Sequence, residues 1–206
     1  MYAKNTWEKY KDQLNEVFDY NEGYKHYISK NKTERACVKD SIKLAEEKGF
    51  KPLESFDTLK SGDKVYVTNR GKNIALFIIG KKPLTEGMRI LGAHIDSPRM
   101  DLKQNPLYES EGFTLADTHY YGGIKKYQWV TIPLSLYGVV CKKDGTVVDV
   151  VIGEDENDPV VGISDLLIHL SADQLDKKAA KVIEGENLDV TLGNMPLFGE
   201  EKDAVK

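Results

Sequence analysis

The stretch Met88 to Ala93 constrains the fold more than any other, because it is apolar over almost its whole length and stops abruptly at His94-Ile95-Asp96-Ser97-Pro98. A short apolar run closed by polar residues marks a strand covered on both faces. It predicts a buried central strand that delivers polar side chains to a site at the edge of a sheet. Proline at 98 ends that strand, since it brings no donor to the ladder and restricts the residue before it.

Helices precede this strand. From Thr6 to about Lys30, Trp7, Tyr10, Leu14, Val17 and Phe18 recur at three- and four-residue steps, predicting an amphipathic helix capped by Thr6 and broken near Asn21-Glu22-Gly23. Thr33 predicts the cap of a second helix, Glu34 to Lys48, with Val38, Ile42 and Ala45 on one face and Gly49 at its exit. Lys64 to Thr68 and Asn73 to Ile79, separated by Asn69-Arg70-Gly71-Lys72, predict a hairpin.

Beyond Arg99 the pattern shifts to short strands: Phe113 to Ala116, Val130 to Cys141, Thr146 to Ile152 and Leu188 to Leu192. Lys143-Asp144-Gly145 joins the middle two. One helix is predicted there, Ser171 to Ile183, with Ser171 and Gln174 as a capping box. The fold class expected is α/β: helices on a mixed sheet over residues 1–99, then a β-rich domain over residues 100–206.

A composition of 40% hydrophobic and 30% charged residues is that of a folded soluble chain, neither disordered nor membrane-spanning. The net charge is −4 and no basic run is interleaved with aromatics, so nucleic acid is not expected as a partner. No uncharged stretch approaches a bilayer span and the start lacks an apolar signal core, so no membrane partner is expected and the location expected is cytoplasmic. Cys37 and Cys141, without paired spacing, suggest neither a disulfide framework nor a thiolate zinc site. The acidic stretch Gly153 to Pro159 fails the calcium-loop template and is expected to be a solvated turn.

Chemistry concentrates at His94-Ile95-Asp96. Residues two apart on a strand project to one side, so the imidazole and the carboxylate would be neighbours, one able to ligate a metal and the other to steer it. A bare His-x-Asp triplet is commonly a core histidine followed by a capping aspartate, so the surrounding residues decide. The other histidines have bland defaults: His26 at a helix surface, His119 in a turn beside two tyrosines with substrate contact as the minority reading, and His169 satisfied and partly buried within Leu166-Leu167-Ile168-His169-Leu170.

The context is long. Leu91-Gly-Ala-His-Ile-Asp-Ser-Pro-Arg-Met-Asp-Leu-Lys-Gln-Asn-Pro-Leu-Tyr-Glu109 resembles the first metal-ligand segment of the M18 aminopeptidases. Thr118-His-Tyr-Tyr-Gly-Gly123 is similar to the family's Tyr-Gly-Gly segment, and Ile163-Ser-Asp-Leu-Leu-Ile-His-Leu170 to a segment of its dimerisation domain. The resemblance implies a zinc-dependent peptidase acting on peptide N-termini with two Zn2+ ions per complete site. It also implies His94 as a zinc ligand, Asp96 as the acidic residue supporting the site, and homo-oligomers formed through the β-rich domain. His169 becomes a functional candidate that reaches a neighbouring subunit's site. The family's bridging Asp, Glu-Glu pair and late His are not recognisable: Glu46-Glu47 lies in a charged helix and Glu200-Glu201 precedes Lys202. The chain is therefore expected to be the N-terminal portion of such an enzyme, inactive alone, with a non-catalytic oligomerisation module as the alternative.

Overall fold

In the computed structural model, which describes residues 5–195, the chain divides into two units between Ser97 and Pro98. The first opens with α1 (Thr6–Lys9), capped one residue earlier than expected: the Asn5 side chain accepts the Trp7 N–H at 3.0 Å. The helix interrupts at Tyr10 and a 3-10 turn, Lys11–Gln13, before α2 (Leu14–Lys30). α2 then runs unbroken through Gly23, where a break was expected. A glycine there costs about 1 kcal/mol, and two contacts support the helix around and after it: Lys25 pairs with Glu22 across Gly23 at 2.7 Å, and the Tyr27 hydroxyl lies 3.0 Å from Ser41 Oγ.

Thr33 caps α3 (Glu34–Glu47) as expected, accepting the Ala36 N–H at 3.2 Å, and Gly49 leaves the helix at φ +83°. Cys37, Val38 and Ala45 are buried along it. α3 packs on a three-stranded mixed sheet of order β1 (Lys51–Pro52), β2 (Lys64–Asn69), β3 (Asn73–Ile78), in which β1 is parallel to β2 and β3 antiparallel. The β2–β3 hairpin matches the sequence expectation. Tyr66 donates from its hydroxyl to Glu46 Oε1 at 2.8 Å, joining β2 to α3.

The central strand does not form. Residues 87–98 have no regular structure, and Met88, Ile90 and Leu91 are exposed, Leu91 completely at 101%. A strand exists only where its backbone groups find partners. β3, the sheet edge, takes no second neighbour among the described residues, and its Leu76, Phe77 and Ile78 also face solvent. The sequence pattern records a demand for burial that this part of the fold does not meet.

The second unit is β-rich. β4 (Arg99–Ser110) and β5 (Phe113–Tyr121) form a long hairpin whose turn places Glu111 and Gly112 at φ +51° and +76°, the left-handed pair of a tight hairpin turn. Its sheet has the order β4-β5-β10-β9-β6, with β6 (Pro133–Leu134), β9 (Val161–Gly162) and β10 (Val190–Gly193). Ala116, Val130, Val161, Ile163, Ile183, Leu188 and Val190 form its core. Lys103 lies between Asp117 Oδ1 at 2.8 Å and Glu186 Oε2 at 2.9 Å, and Tyr108 donates to Asp189 Oδ2 at 2.6 Å, which fastens residues 186–189 to the hairpin. The hydrogen bond to Asp189 pushes the Tyr108 hydroxyl up to about 12.

β7 (Leu136–Cys141) and β8 (Val147–Ile152) stand as a separate two-stranded hairpin closed at Lys142–Thr146. The single strand expected over Val130 to Cys141 is therefore interrupted: Thr131 sits at φ +62° and β6 ends at Leu134. The helix expected over Ser171 to Ile183 reduces to α4 (Ala172–Leu175) and a 3-10 turn, Ala179–Lys181. Asp173, Gln174, Asp176, Lys177 and Lys178 give it no apolar stripe to bury.

Candidate metal centre

His94 and Asp96 meet, although not as neighbours on a strand. The irregular chain after Ala93 folds back so that His94 Nδ1 lies 3.1 Å from the Asp96 carbonyl oxygen and 3.3 Å from Asp96 Oδ1. Both of those oxygens are acceptors, so in the neutral ring the proton belongs on Nδ1 and the lone pair on Nε2. That is the protonation pattern of a metal-ligating histidine whose other nitrogen is steered by a carboxylate. The side chain of His94 is 85% exposed and that of Asp96 41%, so the pair faces solvent and not a cavity. A shallow cavity in the same unit is lined by Gly49, Lys51, Phe56, Gly62, Asp63 and Lys64 and includes neither residue.

The donor set fits a zinc ion at one position only. Among the described residues no three His, Cys, Asp or Glu side chains converge as a metal-binding group. The acidic stretch 153–159 folds as the turn its composition predicts, with Asp158 Oδ2 accepting the N–H groups of Gly153, Glu154 and Asp155 at 2.7, 3.2 and 3.2 Å. These backbone donors, Gly153 first, hold the Asp158 carboxyl below its ordinary range. Its oxygens serve the turn. Glu200 and Glu201 lie outside the described residues, while Glu46 receives the Tyr66 hydroxyl.

His169 belongs to the other unit, in a 3-10 turn, Ile168–Leu170, and it is exposed, not partly buried as its apolar neighbours suggest. His119 is exposed on β5, opposite Asp101 and stacked on Tyr120 with ring centroids 5.6 Å apart. Asp165, near His169, escaped the sequence reading, and Gln174, expected in a capping box, instead donates to it at 2.9 Å across nine residues. An aspartate just ahead of an apolar loop was the only signal for the first. No helix of the described residues is long and apolar enough to cross a membrane.

Known proteins resemble the chain over nearly its whole length. Residues 27–204 match the model of the peptidase M18 family, described as aminopeptidase I zinc metalloprotease. A probable M18 family aminopeptidase 1 of Clostridium acetobutylicum is 59% identical over 209 residues, covering 98% of this chain and 45% of its own length. The crystal structure of an M18 family aminopeptidase from Thermotoga maritima superposes with a TM-score of 0.91 at 45% identity, over 100% of this chain and 44% of that one. Aminopeptidase I from Clostridium acetobutylicum gives 0.84 at 57% identity, over 100% and 47%. The chain thus spans about half the length of the relatives it matches. It belongs to the M18 family of aminopeptidase I zinc metalloproteases.

Proposed function

We propose that the chain is the N-terminal part of a zinc aminopeptidase that removes N-terminal residues from peptides, with His94 as a ligand of the metal centre. The observation that carries the reading is the acceptor pair of Asp96 on Nδ1 of His94, at 3.1 and 3.3 Å. Asp96 holds the proton on Nδ1 and orients the ring, so Nε2 is the atom offered to the metal. A pair of zinc ions, when bound, polarises the scissile carbonyl and lowers the pKa of a bound water. In this reading the remaining ligands and the proton carrier come from outside the described residues, among which no three candidate ligands converge.

Residues 1–99 belong in this reading to the catalytic domain and residues 100–206 to a domain that assembles copies of the chain in the cytoplasm. The exposed Val139, Val140, Val147 and Val151 of the β7–β8 hairpin and Leu167, Ile168 and Leu170 around His169 support self-association, since isolated hairpins are marginal and large exposed apolar surface marks an interaction site. His169 of a neighbouring copy then stabilises the oxyanion that forms on the scissile carbonyl. A second reading, a non-catalytic assembly module, draws on the lack of three converging ligands among the described residues.

The test uses this chain extended with the remaining C-terminal part of the Clostridium acetobutylicum relative, here termed the completed polypeptide. It is expected to release N-terminal residues from peptides, to stop when a chelator strips the metal, and to resume on adding zinc. A completed polypeptide that binds metal and assembles but cleaves nothing would favour the assembly module.

A further inference from the structure

Gln174 does not complete the capping box its position suggests. Its Nε2 donates to Asp165 Oδ1 at 2.9 Å, and the same oxygen accepts the Leu166 N–H at 2.8 Å. Ser171, the other half of the expected box, is 3% exposed and turns its hydroxyl back to the Ile168 carbonyl at 3.0 Å. Both side chains that could serve the start of α4 are thus spent on the loop of residues 164–170, and α4 extends only four residues.

The loop is anchored on its other side as well. The Ile163 carbonyl accepts the Thr131 N–H at 2.7 Å, from a threonine held at φ +62°. A β-branched residue adopts that backbone only where its surroundings impose it. Ile163 itself is 2% exposed, so the loop departs from a fixed point in the core. Between these anchors Leu166, Leu167, Ile168 and Leu170 all face solvent together with His169. Four largely exposed aliphatic side chains would ordinarily collapse onto the core or leave the loop without a single shape. The side-chain hydrogen bonds at Asp165, Gln174 and Ser171 supply the order that packing does not.

We propose that Asp165 and Gln174 are positioning residues that hold the His169 loop in its displayed shape before a second copy of the chain arrives. This rests on the reading of His169 as a group that acts on a neighbouring copy. Assembly then meets a loop already ordered, with its imidazole at a fixed place, and the ordering entropy is not charged to the encounter. Asp165 is the hub because one of its oxygens receives both the local N–H and the distant amide. Asparagine can present an oxygen at the same position, whereas alanine cannot.

Amide hydrogen exchange on the 206-residue chain tests the positioning directly. In Asp165→Ala and Gln174→Ala the amides of Leu166, Leu170 and Ser171 should exchange about tenfold faster, the order expected for losing one hydrogen bond. Those of Val161 and Val190 should keep their parent rates. Asp165→Asn should restore slow exchange in the loop. Unchanged exchange in both alanine variants, or an Asp165→Asn chain as fast as Asp165→Ala, overturns the proposal. In the completed polypeptide, Asp165→Ala should lower kcat with KM unchanged, as His169→Phe should, and Asp165→Asn should recover it. If His169→Phe lowers kcat and Asp165→Ala does not, the positioning role is wrong. If His169→Phe itself leaves kcat unaltered, the reading of His169 fails, and with it the functional meaning of the loop.

Discussion

The purified 206-residue chain is expected to release no N-terminal residues from peptides, even with excess zinc, cobalt or manganese, and to bind each ion weakly. A catalytic zinc site takes three protein ligands and keeps an open position, and a two-metal site needs shared ligands as well. His94 Nε2 is one donor on a ring whose side chain is 85% exposed, and no three candidate ligands converge among the described residues. With a single imidazole the chelate contribution is lost, so water and buffer ligands compete effectively. Isothermal titration with each metal, alongside assays on peptides with acidic and neutral N-termini, measures both halves. Metal-dependent cleavage would mean that ligands besides His94 complete a site in this chain, and the single-ligand reading would fall.

In the completed polypeptide, His94→Ala should remove one metal ion per subunit and most of the turnover, and Asp96→Asn should cost about 10–100-fold in activity or metal affinity. The two differ in kind. Alanine at 94 deletes the donor atom. Asparagine at 96 leaves an acceptor carbonyl on the backbone 3.1 Å from Nδ1 but replaces the carboxylate at 3.3 Å with a neutral amide, so the ring stays steered while its basicity falls. Elemental analysis with steady-state kinetics separates them: metal content should drop in the first variant and be restored by raising zinc in the second. A His94→Ala enzyme with unchanged metal content would remove His94 from the ligand set.

Local signals were legible where the residues concerned act on their own neighbourhood. Thr33 caps α3, Gly49 ends it, and the β2–β3 and β7–β8 hairpins form around the turns their sequences specify. Signals that depend on partners misled. Met88 to Ala93 carries the composition of a buried strand, yet a strand also requires another strand, and none of the described residues supplies one. β4 was invisible for the opposite reason: Asn105-Pro106 looks like a break, but the ladder absorbs it in a register shift between Leu102 and Leu107, the kind of place where a sheet tolerates proline.

The site shows the same division. His94 and Asp96 are adjacent enough in sequence to find each other through a folded-back chain, so their association survives the loss of the strand expected to carry them. Gln174 and Ser171 have the spacing of a capping box, and only the structure reveals that both serve the loop before the helix. The charged links of Lys103 to Asp117 and Glu186 join residues up to 83 apart, beyond any local pattern.

In the proposed function His94 gives Nε2 to a zinc ion while Asp96 steers Nδ1. Diffraction from crystals of the zinc-loaded completed polypeptide, recorded on both sides of the zinc absorption edge, tests it without recourse to activity. An anomalous peak is expected within bonding distance of His94 Nε2, with Asp96 still against Nδ1. A zinc peak with His94 turned away from it, or bound through Nδ1 with Asp96 displaced, would contradict it.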